Sequence, residues 1–118
     1  MKKFKFILSI VAIISLNALA EETVKLGVMG QVGVDGFFSP TVNSFFVKSV
    51  MANSPAEKVG LVAGDKIISI DGCKIPGCSA SKAKKLMQKK AGEILLLVIE
   101  KEDGSQVTLN ITMNTWQV

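Results

Sequence analysis

Asn53-Ser54-Pro55-Ala56-Glu57-Lys58-Val59-Gly60-Leu61, followed two residues later by Gly64-Asp65-Lys66-Ile67-Ile68-Ser69-Ile70-Asp71-Gly72, decides the fold. Ser54 is a helix cap, Pro55 suits the first helical position, and Glu57 can reach back in a capping box. Gly60 before apolar Leu61 supplies the left-handed stop, so the helix has about two turns. Gly64-Asp65 turns the chain into a β-branched strand, Lys66 to Ile70, which ends at the turn signal Asp71-Gly72. This strand is expected to be central.

Downstream lies Cys73-Lys74-Ile75-Pro76-Gly77-Cys78, where Pro76 and Gly77 favour a turn that brings the cysteines together. A structural disulfide is the leading reading. Free thiols and redox or metal chemistry are the alternatives, although redox motifs usually place two residues between the cysteines. Ser79 to Lys90 then runs without Gly or Pro and sets Ala80, Ala83, Leu86 and Met87 on one helical stripe. Gly92 ends this second helix. Glu93 to Lys101 is an apolar strand, Glu102-Asp103-Gly104-Ser105 a hairpin turn, and Gln106 to Met113 the returning strand. Residues 114–118 are expected to fray.

Upstream, Glu21 to Lys25 reads as a short flexible lead, and Leu26 to Val34 as a glycine-dotted strand with close backbone neighbours. Asp35 to Ser44 reads as a loop that begins with Phe37 and Phe38, which are either core or an adhesive patch. From Phe45 to Val50 the sequence is that of a mostly buried strand. The sum is an α+β chain of about five strands and two helices, with no internal repeat.

The amino terminus has the three parts of a secretory signal: Lys2, Lys3 and Lys5, an apolar run from Phe6 to Leu16, and Ala18-Leu19-Ala20 before Glu21. The run falls short of the roughly 20 residues of a spanning helix, so cleavage is expected over retention as a membrane anchor. Removing residues 1–20 leaves 98 of the 118, enough for one domain. Three of the 14 basic residues go with them, leaving 11 against 10 acidic ones, so the net charge falls from +4 to +1. An extended basic surface for nucleic acid is thereby lost. Export also places the cysteine pair where disulfides persist.

The 53–72 block, of the form S-P-A-x-x-x-G-L-x-x-G-D-x-I-x-x-I-x-G, together with Leu26-Gly27-Val28, resembles the PDZ domain of bacterial exported proteins. It is similar to the PDZ modules of periplasmic serine proteases and tail-specific proteases, or of secretion-system components, here expected to stand alone. The resemblance implies a PDZ-like fold over residues 26–113, with mostly antiparallel strands in a partly open barrel or sandwich and two helices. It implies no proteolysis.

It also implies a groove in which an incoming chain end adds as a strand. Leu26-Gly27-Val28 matches the family's loop whose backbone N–H groups hold the ligand carboxylate, and Gly27 would allow close approach. The strand from Val28 through Met29 to Val32 would pair with the peptide. Lys25 either adds charge attraction or is simply solvated. Ala80, Ala83 and Met87 would line the pocket for the last side chain, with core packing the equal alternative for Ala83 and Met87. Small Ala83 and flexible Met87 would suit apolar-ended peptides.

The lysines of the second helix read as a solvated face, with acidic peptides or membrane phosphates as alternatives. Membrane-surface contact is therefore open but not favoured. Trp116-Gln117-Val118 resembles one class of PDZ ligands, which allows self-association besides the plain reading of a frayed tail.

With no histidine or tyrosine and no activated-nucleophile motif, the expected protein is no enzyme and takes no cofactor. Zinc lacks histidine partners. The leading expectation is a non-catalytic binding module of the cell envelope, periplasmic by resemblance, that captures C-terminal or extended segments. The rivals are a docking component of a secretion or envelope complex and a regulator of an exported protease.

Overall fold

The structure, a computed structural model, describes residues 23–117; the expected signal segment and the last residue of the Trp116-Gln117-Val118 motif lie outside that range. Five long strands carry the architecture: β2 (Val28–Asp35), β3 (Thr41–Val50), β4 (Lys66–Ile70), β8 (Ile94–Glu100) and β9 (Gln106–Thr112). They form an open antiparallel sheet in the order β2-β3-β4-β8-β9, with β4 at its centre and β2 at one edge. Two-residue strands β5 (Cys73–Lys74) and β6 (Cys78–Ser79) join it, whereas β1 (Thr23–Val24) and β7 (Lys89–Lys90) pair with each other as a separate ribbon. The helices are α1 (Pro55–Lys58) and α2 (Ala80–Met87).

β8 alternates Leu95, Leu97 and Ile99 into a core that takes Ile67 and Ile70 from β4, on either side of a bulge, and Ile111 and Met113 from β9 and beyond. The core cluster extends from Val24 to Met113, so residues 21–118 contain every described element. Asp65 is buried beside it, accepting from the Val62 N–H at 3.1 Å and from Lys101 Nζ at 3.0 Å. That supplies partners for a carboxylate that burial would otherwise penalise.

α1 starts as its sequence dictates. The Ser54 hydroxyl accepts from the Glu57 N–H at 3.2 Å and donates to the Met51 carbonyl at 2.7 Å. Glu57 reaches back one residue beyond the cap, accepting from the Asn53 N–H at 2.8 Å. The helix is one turn rather than two, with Gly60 left-handed at φ +89°.

Four further expectations need correction. The 21–25 segment is not wholly a flexible lead, because Thr23–Val24 pairs with Lys90–Lys89 and Val24 is buried. The β2–β3 connection is shorter than 35–44, since β3 already begins at Thr41, opposite Ser79 of the cysteine loop. α2 stops at Met87 instead of Lys90: the backbone of Lys89 and Lys90 is taken by β1, and the Lys89 ammonium is paired with Asp71. Finally, Trp116 does not fray; it packs against the core and donates from Nε1 to the Lys25 carbonyl at 2.7 Å.

Cys73 and Cys78 are disulfide-bonded with their Cα atoms 5.4 Å apart. The bond joins β5, which pairs with β4, to β6, which pairs with β3.

Candidate functional site

The loop 25–27 is held by its carbonyls. Trp116 Nε1 donates to the carbonyl of Lys25 at 2.7 Å, the Ala56 N–H to that of Leu26 at 3.1 Å, and the Met51 N–H to that of Gly27 at 2.8 Å. Among the described residues, no acceptor takes the N–H groups of Lys25, Leu26 or Gly27. Three consecutive carbonyls are thus committed to the protein while the donors stay available, which suits a carboxylate. Gly27 has φ +90°, and a Cβ there would lie 2.1 Å from Ser54 Cβ. Only glycine fits this turn.

The open edge begins at the next residue. Val28 lies opposite Val50, and because the Met51 N–H donates to the Gly27 carbonyl, that pair is one that exchanges no hydrogen bonds of its own. The N–H and C=O of Val28 therefore turn away from β3 toward the free side of β2. Bulges follow at Met29/Gly30 and Gly33/Val34. Gly30 leaves room for the Phe45 ring, whose Cε1 would stand 2.5 Å from a Cβ at that position.

Between β2 and α2 lies a cleft of about 190 Å³, walled by Val32 and Val34 on one side and by Ala80, Ala83 and Met87 on the other, with Phe45 and Lys84 also lining it. Ser79 caps α2, accepting from the Lys82 N–H at 3.0 Å. Ala83 is 7% exposed and Met87 half-buried, so both pack on the core and line the cleft. Leu86 packs against the core.

The other expected site residues are placed differently. The Leu26 side chain is buried, so its contribution to the site is backbone. Met29 is exposed and lies outside the cleft lining, and Lys25 is exposed. Sequence reasoning missed Val34, Phe45 and Trp116. The alternation of Val28, Gly30, Val32 and Val34 carries a signal for Val34, whereas nothing near Trp116 in sequence points to Lys25. A second cleft, of about 590 Å³, lies on the Trp116 side of the loop between Thr23, Val24, Lys25 and Met51. Among the described residues there is no metal-binding cluster of His, Cys, Asp or Glu, and no helix is long and apolar enough to cross a membrane.

A carbonyl-pinned loop opening onto a free strand edge beside a helix is the frame that strand-adding peptides use. A family model described as the PDZ domain matches residues 16–99. The chain belongs to the PDZ domain family.

Over 54 residues it is 46% identical to syntenin-2 of Rattus norvegicus, covering 46% of this chain and 18% of that protein. The PDZ chain thus spans less than a fifth of this curated relative. Among solved structures it is similar to the photosystem II D1 C-terminal processing protease, with a TM-score of 0.59 and 27% identity over 89% of this chain and 27% of that one. The PDZ domain of the carboxy-terminal protease from Vibrio cholerae, solved in complex with peptide, shares the fold at a TM-score of 0.62 and 18% identity, covering 81% and 98% of the two chains. The photosystem II D1 processing protease carries the matched region as one part of a longer chain, and the part matched here is a binding module.

Proposed function

We propose that this PDZ domain is a non-catalytic module of the cell envelope that captures apolar-ended C-terminal segments of other proteins. The ligand strand adds to β2 between the 26–28 loop and α2. Its carboxylate meets the free N–H groups of the loop, and its last side chains rest on Ala83, Met87 and Val32. The observation that carries this reading is the commitment of the carbonyls of Lys25, Leu26 and Gly27 to fixed donors while the outward groups of Val28 begin an open edge. The peptide bound by the Vibrio cholerae domain of similar fold is in keeping with it. Support for export comes from the basic, apolar and small-residue order of residues 1–20 and from the disulfide, which oxidising compartments preserve.

The test is titration of residues 21–118 with peptides ending in a free apolar residue and with the same peptides amidated. Free-ended peptides are expected to bind in the micromolar range, about −8 kcal/mol, and amidation to abolish binding. Val32→Asp, a change at a half-exposed wall of the cleft, is expected to weaken it at least tenfold. Equal binding of free and amidated ends overturns the carboxylate role. The mass of the protein recovered from its host reads out processing after Ala20.

A further inference from the structure

The hairpin between β2 and β3 carries two aromatic rings that nothing else in the described chain covers. Phe37 is 89% exposed and Phe38 92%, and the two rings meet edge to face with centroids 5.1 Å apart. The tip that carries them is braced. Asp35 pairs with Thr41 at its base, the Ala80 N–H donates to the Pro40 carbonyl at 2.9 Å, and the Gly77 N–H donates to the Val42 carbonyl at 2.9 Å. Thr41 and Val42 are also paired with Ser79 and Cys78, so the tip is fastened both to the disulfide loop and to the first residue of α2.

That helix carries Lys82, Lys84 and Lys85, all exposed, and no acidic residue between Ala80 and Met87. Lys84 shares the wall of the cleft with Val34, at the end of β2 that leads to the tip. The acid at the base of the hairpin, Asp35, accepts a hydrogen bond from the Asn43 amide at 2.8 Å. Two rings make too little area for a specific protein interface, which needs roughly 800 Å² on each partner. They suit a bilayer, where an apolar wedge has only to reach about 5–10 Å into the headgroup boundary. Weak insertion of this kind becomes stable when basic side chains add attraction to anionic lipid.

We propose that Phe37 and Phe38 insert into the surface of an anionic lipid bilayer while Lys82, Lys84 and Lys85 engage its phosphates. On the peptide-capture reading, and resting on it, a ligand strand antiparallel to β2 would have its carboxylate at Gly27 and leave the groove beside Val34. Its upstream part would head toward the bilayer, so the captured segments would be the C-terminal tails of membrane-anchored proteins.

The experiment is co-sedimentation of residues 21–118 with vesicles of phosphatidylcholine plus phosphatidylglycerol, and with phosphatidylcholine alone, at low and high salt. No peptide is present, so the outcome is independent of the groove. Binding is expected to the anionic vesicles and to fall with salt. It is expected to drop about tenfold or more in Phe37→Ser/Phe38→Ser and similarly in Lys82→Gln/Lys84→Gln/Lys85→Gln. All five side chains are exposed, and a cooperative thermal melt of each variant verifies its fold. Failure to bind anionic vesicles, or undiminished binding by the phenylalanine variant, overturns the proposal. Contact of the two rings with a protein partner in the absence of vesicle binding overturns it in favour of a protein surface.

Discussion

Trp116 Nε1 donates to the Lys25 carbonyl at 2.7 Å across 91 positions of sequence, fastening the end of the fold to the loop that opens the groove. The ring also borders Gly27, with Cζ2 3.2 Å from where a Cβ would stand. Trp116→Phe keeps an aromatic ring, though a smaller one, and removes the donor. It is expected to cost about 1 kcal/mol and to weaken free-ended peptides several-fold. In the unmodified protein, Trp116 is the single tryptophan and there is no tyrosine, so its emission reports this loop cleanly. A free-ended peptide is expected to shift that emission and its amidated form to leave it unchanged; identical responses would contradict the carboxylate role of the loop.

Gly27 is fixed by geometry from two sides, its φ of +90° and the nearness of Ser54. Gly27→Ala is expected to destabilise by about 2 kcal/mol or more in urea unfolding. Ser54→Gly alone costs less, but it removes the atom that a Cβ at 27 would strike. The double variant is therefore expected to cost less than the sum of the singles. Strictly additive costs would show that the clash is not what excludes a side chain here. Large substitutions at Gly27 test the fold rather than the groove, which is why Val32 is the better probe of binding.

The disulfide closes a loop of six residues, which by chain entropy contributes about 2 kcal/mol. Reduction by a phosphine is expected to lower the unfolding free energy by that amount and to speed amide exchange where Cys78–Ser79 pairs with Val42–Thr41. No change on reduction would mean that the pairing of these strands is independent of the bond.

Asp103, fully exposed in the β8–β9 turn, is held below its ordinary value of 3.8, first by the Ser105 hydroxyl at 2.7 Å and then by the Ser105 N–H at 2.9 Å. A carboxyl lowered on folding favours the folded state above its unfolded pKa, and that contribution is lost as pH falls through the folded pKa. Ser105→Ala is expected to move the Asp103 titration, followed by carboxyl NMR, up toward 3.8. An unmoved titration would assign the shift elsewhere.

Local chemistry made much of this legible. Ser54, Pro55 and Gly60 announce α1 because capping and left-handed stops depend on residues a few positions apart. The cysteine pair is legible because Pro76 and Gly77 lie between its members. The sequence carries α2 on to Lys90 because nothing local stops it: Lys89 and Lys90 are good helix formers, and it takes Val24, Thr23 and Asp71 from elsewhere in the chain to draw them out. Phe37 and Phe38 are ambiguous in sequence for the related reason that an apolar pair looks the same whether or not another element covers it.

The sequence by itself determined the elements whose causes are local: the α1 cap, the β4 strand and its turn, and the β8–β9 hairpin. Only the tertiary structure decided what those elements leave open. It placed β2 at the sheet edge, brought Trp116, Ala56 and Met51 onto three successive carbonyls, and set α2 across from Val32 and Val34. The physical reason is range. Capping and turn preferences act within a few residues, whereas a free strand edge exists only once every other strand has found its partner.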